Sequence, residues 1–177
     1  NNRNFPIELA LTTQKLGDNY NPTNHTLTLS QDIAQTASIT AVGIAAHELG
    51  HVEQHQLGST LLRIRTLIVP ALNIGTNIGY FLLIFGIVLG ATNLAWIGIV
   101  LFSGTVIFSV ITLPIEIDAS RRALHMLQAE QILLPQELPG VKRVLSAAAL
   151  TYIASTIQSV GTLFYFLLRI QGGGRKN

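Results

Sequence analysis

His47, Glu48 and His51 are the residues whose types and spacing fit catalysis, within the stretch HELGH at 47–51. His47 and His51 are four positions apart, so on a helix they share one face about a turn from each other. Two neutral imidazoles there can share one Zn2+, and Glu48 then stands beside the metal's water as a candidate base. A catalytic zinc takes three protein ligands and leaves a place for water. The chain has no cysteine, so the third ligand must be a histidine or a carboxylate. His55 lies on the same helical face, but about 12 Å along the axis from His47, too far to share one ion. The extended metzincin pattern needs a histidine ten residues after the first, and Leu57 holds that place.

Glu116 is the expected third ligand, and the argument for it is topological. No charged residue stands between Arg65 and Glu116, which leaves residues 66–115 as a charge-free run of 50. A membrane-crossing helix needs roughly 20 apolar residues, so the run fits two, with a break near Gly90, Ala91, Thr92 and Asn93. Two crossings make a round trip and return Glu116 to the side of His47 and His51. A helix continuing past Pro114 through Glu116 would set Ser120 one turn on, placed to orient Glu116. Asp118 is the alternative ligand, or a partner for a ligand histidine.

The elements that must position these residues follow from composition. The chain of 177 residues is 49% hydrophobic and 11% charged. Soluble domains average about 25% charged residues, so lipid is expected to cover much of this surface. Net charge is only +2, and no dense basic stretch argues for nucleic acid. The fold class expected is mainly α and integral to a membrane, in a single domain over 1–177. A small N-terminal β-hairpin is expected in 1–37, from the alternation of Leu27 and Leu29 after a turn cluster at 17–22. The HExxH helix is expected over 38–58, with Ser38 or Ser30 as a start and Gly58 and Ser59 as a stop. Transmembrane helices are expected at 66–90, 94–114 and 144–168. The glycine pairs Gly75 with Gly79 and Gly86 with Gly90 suit close helix contact, and Thr76, Asn77, Gln158 and Ser159 suit bonds to neighbouring helices. Pro139 and Gly140 read as a loop, and Gly172, Gly173, Gly174, Arg175 and Lys176 as a flexible tail.

In this topology eight of the eleven Lys and Arg residues and all nine carboxylates fall on the side of the HELGH stretch. The positive-inside rule makes that side cytoplasmic. The chemistry expected there is hydrolysis, with Glu48 taking a proton from water made acidic by zinc. His125, Tyr20 and His25 are the candidates to steady an oxyanion. More plainly, His55 reads as a polar surface residue, His25 as a strand residue facing water, Arg121 and Arg122 as headgroup anchors, and Pro114 as the kink or end of a span.

Longer stretches carry a resemblance. Residues 41–51 (AVGIAAHELGH), 112–124 (TLPIEIDASRRAL), 144–152 (VLSAAALTY) and 18–22 (DNYNP) resemble the bacterial membrane neutral zinc metallopeptidases of the YugP-like family. The resemblance covers nearly the whole chain. It implies a zinc-dependent peptidase built on a membrane-embedded helical bundle; members usually begin with another transmembrane helix, which this sequence does not show, so it is either trimmed or a short member. The family is similar to a larger group of membrane zinc peptidases whose third ligand is a downstream Glu. There an Asp follows that Glu by four residues; Ser120 holds the place here.

The expectation is therefore a membrane-bound zinc peptidase. Its metal ligands are His47, His51 and Glu116, its base is Glu48, and it acts on peptides or membrane proteins at the bilayer surface. Two other readings compete. Intramembrane proteolysis is opposed by the short apolar stretch before His47 and the polar residues 53–56 after His51. A non-catalytic membrane scaffold, with structural zinc or none, is opposed by Glu48, which a structural site does not need.

Overall fold

The computed structural model describes residues 5–173, the side chain of Asn73 apart. Arg3, one of the eight basic residues counted on the HELGH side, and the tail beyond Gly173 fall outside what is described, as does the side chain of Asn73, which the sequence groups with Thr76 and Asn77 as a polar residue suited to bonding a neighbouring helix. Three strands come first: β1 (Glu8–Thr12), β2 (Asn19–Asn21) and β3 (Thr26–Ser30). Five helices follow: α1 (Gln31–Gln35), α2 (Ile39–Gln56), α3 (Thr60–Val88), α4 (Thr92–Ala129) and α5 (Leu138–Gly173).

The chain divides into two compact units, residues Asn1–Thr66 with Pro114–Thr151 and residues Leu67–Leu113 with Tyr152–Asn177. In the first unit the sheet order is β1-β3-β2. β2, inside the stretch expected as the hairpin's turn, is itself a strand and pairs antiparallel with β3, with Tyr20 opposite Leu27. β1 instead lies parallel to β3, with Leu9 opposite Leu27, so the sheet is more than a hairpin. Asp18 ties its two ends, accepting hydrogen bonds from the Ser30 backbone N–H at 2.7 Å and from its hydroxyl at 3.0 Å. Ser30 is thereby used in the sheet and makes no side-chain cap for α1.

Ser38 caps α2, accepting from the Ala41 N–H at 3.1 Å. The helix ends where Gly58 adopts φ 73° and donates to the His55 carbonyl. One face of α2 packs its Val52 on Tyr20 and Leu27 of the sheet. Another sets Ala46 among Ala123, Leu127, Val141 and Leu145 of α4 and α5. Burying those five side chains fixes α2 between the sheet and the two long helices. Pro139 and Gly140, expected in a loop, lie in the first turn of α5, where a proline's missing N–H has no helical partner to lose. Gly172 and Gly173 likewise end that helix.

In the second unit α3 and α4 approach at glycines. A Cβ at Gly79 would press on Phe102, one at Gly86 on Ala95, and one at Gly98 on Leu83. Gly75 and Gly90, expected to share this role, face open space; Gly90 has φ 67° and turns the chain between the helices. Thr76 bonds Thr105 across the helices at 3.0 Å. Ser159 bonds its own helix, at the Ser155 carbonyl, an option always open to a hydroxyl on a helix. Leu83, Ala95, Ile99, Phe166 and Ile170 form the core of this unit.

Two helices, Thr92–Ala129 and Leu138–Gly172, are long and apolar enough to cross a membrane. The pair Thr60–Leu72 and Ile74–Val88, bent by 47° at its break, makes a third if taken as one span. α4 passes through Pro114 as a helix, so that proline does not end it. Leu67, Val88, Val100 and Ile157 are 67–78% exposed, surface that water solvates poorly and lipid covers well.

Candidate metal centre

α2 and the far half of α4 build the site, and both belong to the first unit. Their residues pair in reverse order. Gln54 meets Ile115, Gly50 meets Ala119, His47 meets Ser120, and Ala46 packs with Ala123. The approach is close because position 50 has no side chain; a Cβ there would overlap the Ala119 carbonyl.

His47, His51 and Glu116 come together in this contact, with one ligand atom from each within 4.8 Å of the others. Glu116 Oε2 lies 3.1 Å from His47 Nε2 and 3.4 Å from His51 Nε2. A tetrahedral zinc with arms of about 2.0–2.1 Å sets its ligand atoms roughly 3.3 Å apart, so these distances match the edges of such a site. Two imidazole nitrogens and a carboxylate oxygen are also a donor set that suits zinc. The residues present fit the metal.

Each of the three side chains is held from behind. Ser120 Oγ lies 3.2 Å from His47 Nδ1. It therefore serves His47 and not Glu116, because the reversed pairing of α2 and α4 sets it beside the first histidine. His51 Nδ1 lies 3.0 Å from Gln54 Oε1. Glu116 turns its other oxygen, Oε1, to Arg65 Nη1 at 3.2 Å. Glu116 is only 2% exposed, so the carboxylate meets two rings and a guanidinium in place of water. Burial pushes the His51 pKa down, but its hydrogen bond and charge attraction to Glu116 outweigh that and the net direction is up.

Glu48 is buried beside the group. Burial raises its pKa above the usual carboxylate value, partly offset by the charges of His51 and His47; Glu116 raises it further, and the Tyr20 backbone N–H, which donates to it, lowers it. Asp118 is not among the three grouped donors. It accepts from Gln54 Nε2 at 2.8 Å and from Arg122 Nε at 2.7 Å. Arg122 also pairs with Glu53 at 3.1 Å, so this arginine closes α2 onto α4.

The three oxyanion candidates have the following surroundings. The Tyr20 hydroxyl lies 2.8 Å from His55 Nδ1, and burial pushes its pKa up to about 12. His25 is in the turn before β3 with φ 58°. It stacks on Phe5 at 4.0 Å and meets the edge of His55 at 5.3 Å. Neither ring is the free surface group expected, because Phe5 and Tyr20 give both of them neighbours. His125 is exposed on α4.

Sequence reasoning missed Gln54, Arg65 and the Tyr20 backbone. Gln54 is a polar residue three positions after His51 and 99% buried, but burial is invisible in sequence. Arg65 had one signal, as the last charge before the apolar run. The Tyr20 N–H had none.

Comparisons with known proteins agree with this geometry. No solved structure matches the chain significantly. It is 40% identical over 172 residues to the Bacillus subtilis (strain 168) protein named "Putative membrane protease YugP", covering 97% of this chain and 76% of that protein. Residues 4–171 match the family described as "Putative neutral zinc metallopeptidase", and the chain belongs to that family.

Proposed function

We propose that the protein is a membrane-bound, zinc-dependent peptidase that hydrolyses peptide bonds near the bilayer surface. One observation carries the reading. His47, His51 and Glu116 offer three ligand atoms to one point, with the carboxylate of Glu48 buried beside them. Zinc, when bound, lowers the pKa of water and polarises a carbonyl.

The chain's own groups do the rest. Glu48 accepts the water's proton at a carboxylate oxygen and passes it to the leaving amine. Arg65 holds Glu116 Oε1 at 3.2 Å, which leaves Oε2 for the metal. Ser120 and Gln54 hold the outer nitrogens of the two rings, so both Nε2 atoms face inward.

Peptides or membrane proteins at the bilayer are the proposed substrates. The charge-free run begins next to Arg65 and ends next to Glu116, which argues for chemistry close to the lipid boundary. The crowding of basic residues on the same side supports a cytoplasmic location. Metal analysis of the purified protein together with Glu48→Gln is the test. Stoichiometric zinc with cleavage lost in the variant is expected; absence of zinc, or cleavage that survives, would overturn the reading.

A further inference from the structure

Gln54 sits where its amide has a single sensible orientation. Its nitrogen end lies 2.8 Å from the Ile115 carbonyl and 2.8 Å from Asp118 Oδ2. Both of those atoms accept hydrogen bonds, so the end facing them must be the NH2 group, and both its hydrogens are used. The oxygen end therefore faces His51, 3.0 Å from Nδ1. An amide oxygen only accepts.

From this geometry we infer that Gln54 is a positioning residue for the metal centre. It holds a proton on His51 Nδ1 and ties that side chain to the α4 segment that carries Glu116. An Nδ1 without a proton would turn its lone pair onto the Gln54 oxygen, two acceptors in contact inside the protein. Nε2 faces Glu116 Oε2 at 3.4 Å; without a metal it too carries a proton toward that oxygen, and a metal bound there would replace that proton alone. Ile115 and Asp118 flank Glu116 in sequence. One amide thus sets both the Nδ1 proton of one ligand and the distance to another. Asp118 is itself held by Arg122, which pairs with Glu53 on α2, so the acceptor that orients Gln54 is fixed as well. The chemistry is that of a ligand histidine's outer nitrogen donating to a carbonyl, here from a side chain.

The inference rests on the peptidase reading for its purpose but is tested without activity. The whole protein in detergent, with 15N-labelled histidine and no metal, shows from its imidazole nitrogen shifts whether His51 Nδ1 carries a proton at neutral pH. His51→Ala identifies the signals. A proton on Nδ1 is expected; an Nδ1 without a proton overturns the inference outright, with no variant needed. Gln54→Met removes the acceptor and is expected to shift His51 away from a protonated Nδ1 and to raise the zinc dissociation constant roughly 10–100-fold. Gln54→Glu keeps an acceptor facing Nδ1, so it is expected to keep that proton while losing donors to Ile115 and Asp118. If Gln54→Met leaves the Nδ1 proton and zinc affinity as in the parent, the assignment is wrong. Failure of the parent protein to bind zinc would instead strike the metal-centre reading, which the Nδ1 measurement separates cleanly.

Discussion

Gly50 lies directly against the carbonyl of Ala119, with no room for a Cβ between them. The contact sits between His51 on one helix and Glu116 on the other, so it sets how near those ligands come. Gly50→Ala is expected to push α2 off α4. Overpacking of this kind costs about 1–3 kcal/mol, and zinc content should fall with it. Gly75→Ala is the control, since a Cβ there meets open space. Thermal unfolding and metal analysis of both variants check this; equal behaviour would show that the close approach does not matter.

Glu48→Gln keeps the size and burial of the side chain but removes the proton acceptor. Cleavage of a peptide substrate is expected to fall by about 10^2–10^4-fold, the usual contribution of a general base. Bound zinc should stay near the parent level, because Glu48 is outside the three grouped donors. A variant that loses its zinc would place Glu48 among the ligands.

Ser120→Ala and Glu116→Ala should separate support from ligation. Glu116→Ala removes a ligand and is expected to abolish stoichiometric zinc, as His51→Ala should. Ser120→Ala removes only the hydroxyl behind His47 and is expected to weaken zinc roughly 10–100-fold. Competition with a chelator of known affinity measures both. Identical losses would contradict the distinction.

Acid should loosen the sheet from α2 through His55. Burial, then the charges of His25 and Arg63, hold its pKa below the ordinary 6.5. The unfolded chain therefore takes up this proton at a higher pH than the folded one. Stability from this group is full above about 6.5 and falls as pH drops from there toward the lower folded value. Unfolding midpoints measured from neutral to mildly acidic pH should decline less steeply in His55→Gln than in the parent. An unchanged slope would show that His55 contributes nothing to it.

Much of the site was legible before any coordinates. HELGH announces its own helix, and the charge-free run returns Glu116 to it by counting alone. The supporting residues were not legible, for a physical reason. Ser120 reads equally well as a partner of Glu116 or of His47 until the direction of packing between α2 and α4 is known. Gln54 looks like any polar residue on a helix until its burial is seen. The strands show a similar limit. Period-two alternation marks β3 as a strand, but nothing in β1 says that it lies parallel to β3 with β2 on the far side. Gly86 was legible as a contact residue and Gly90 as the break between the helices, but their spacing also suggested a helix contact that Gly90 does not make.

The two halves of the centre are made at different times. His47 and His51 are synthesised 65 residues or more ahead of Glu116, with the entire charge-free run between them. A growing chain that has produced only the first half has two ligands and no third, and cannot close the site until the intervening helices exist and have been threaded. Completion of the centre is therefore a late event in biogenesis. On the proposed reading, hydrolytic competence is withheld from the nascent protein until the segment that carries Glu116 has been made.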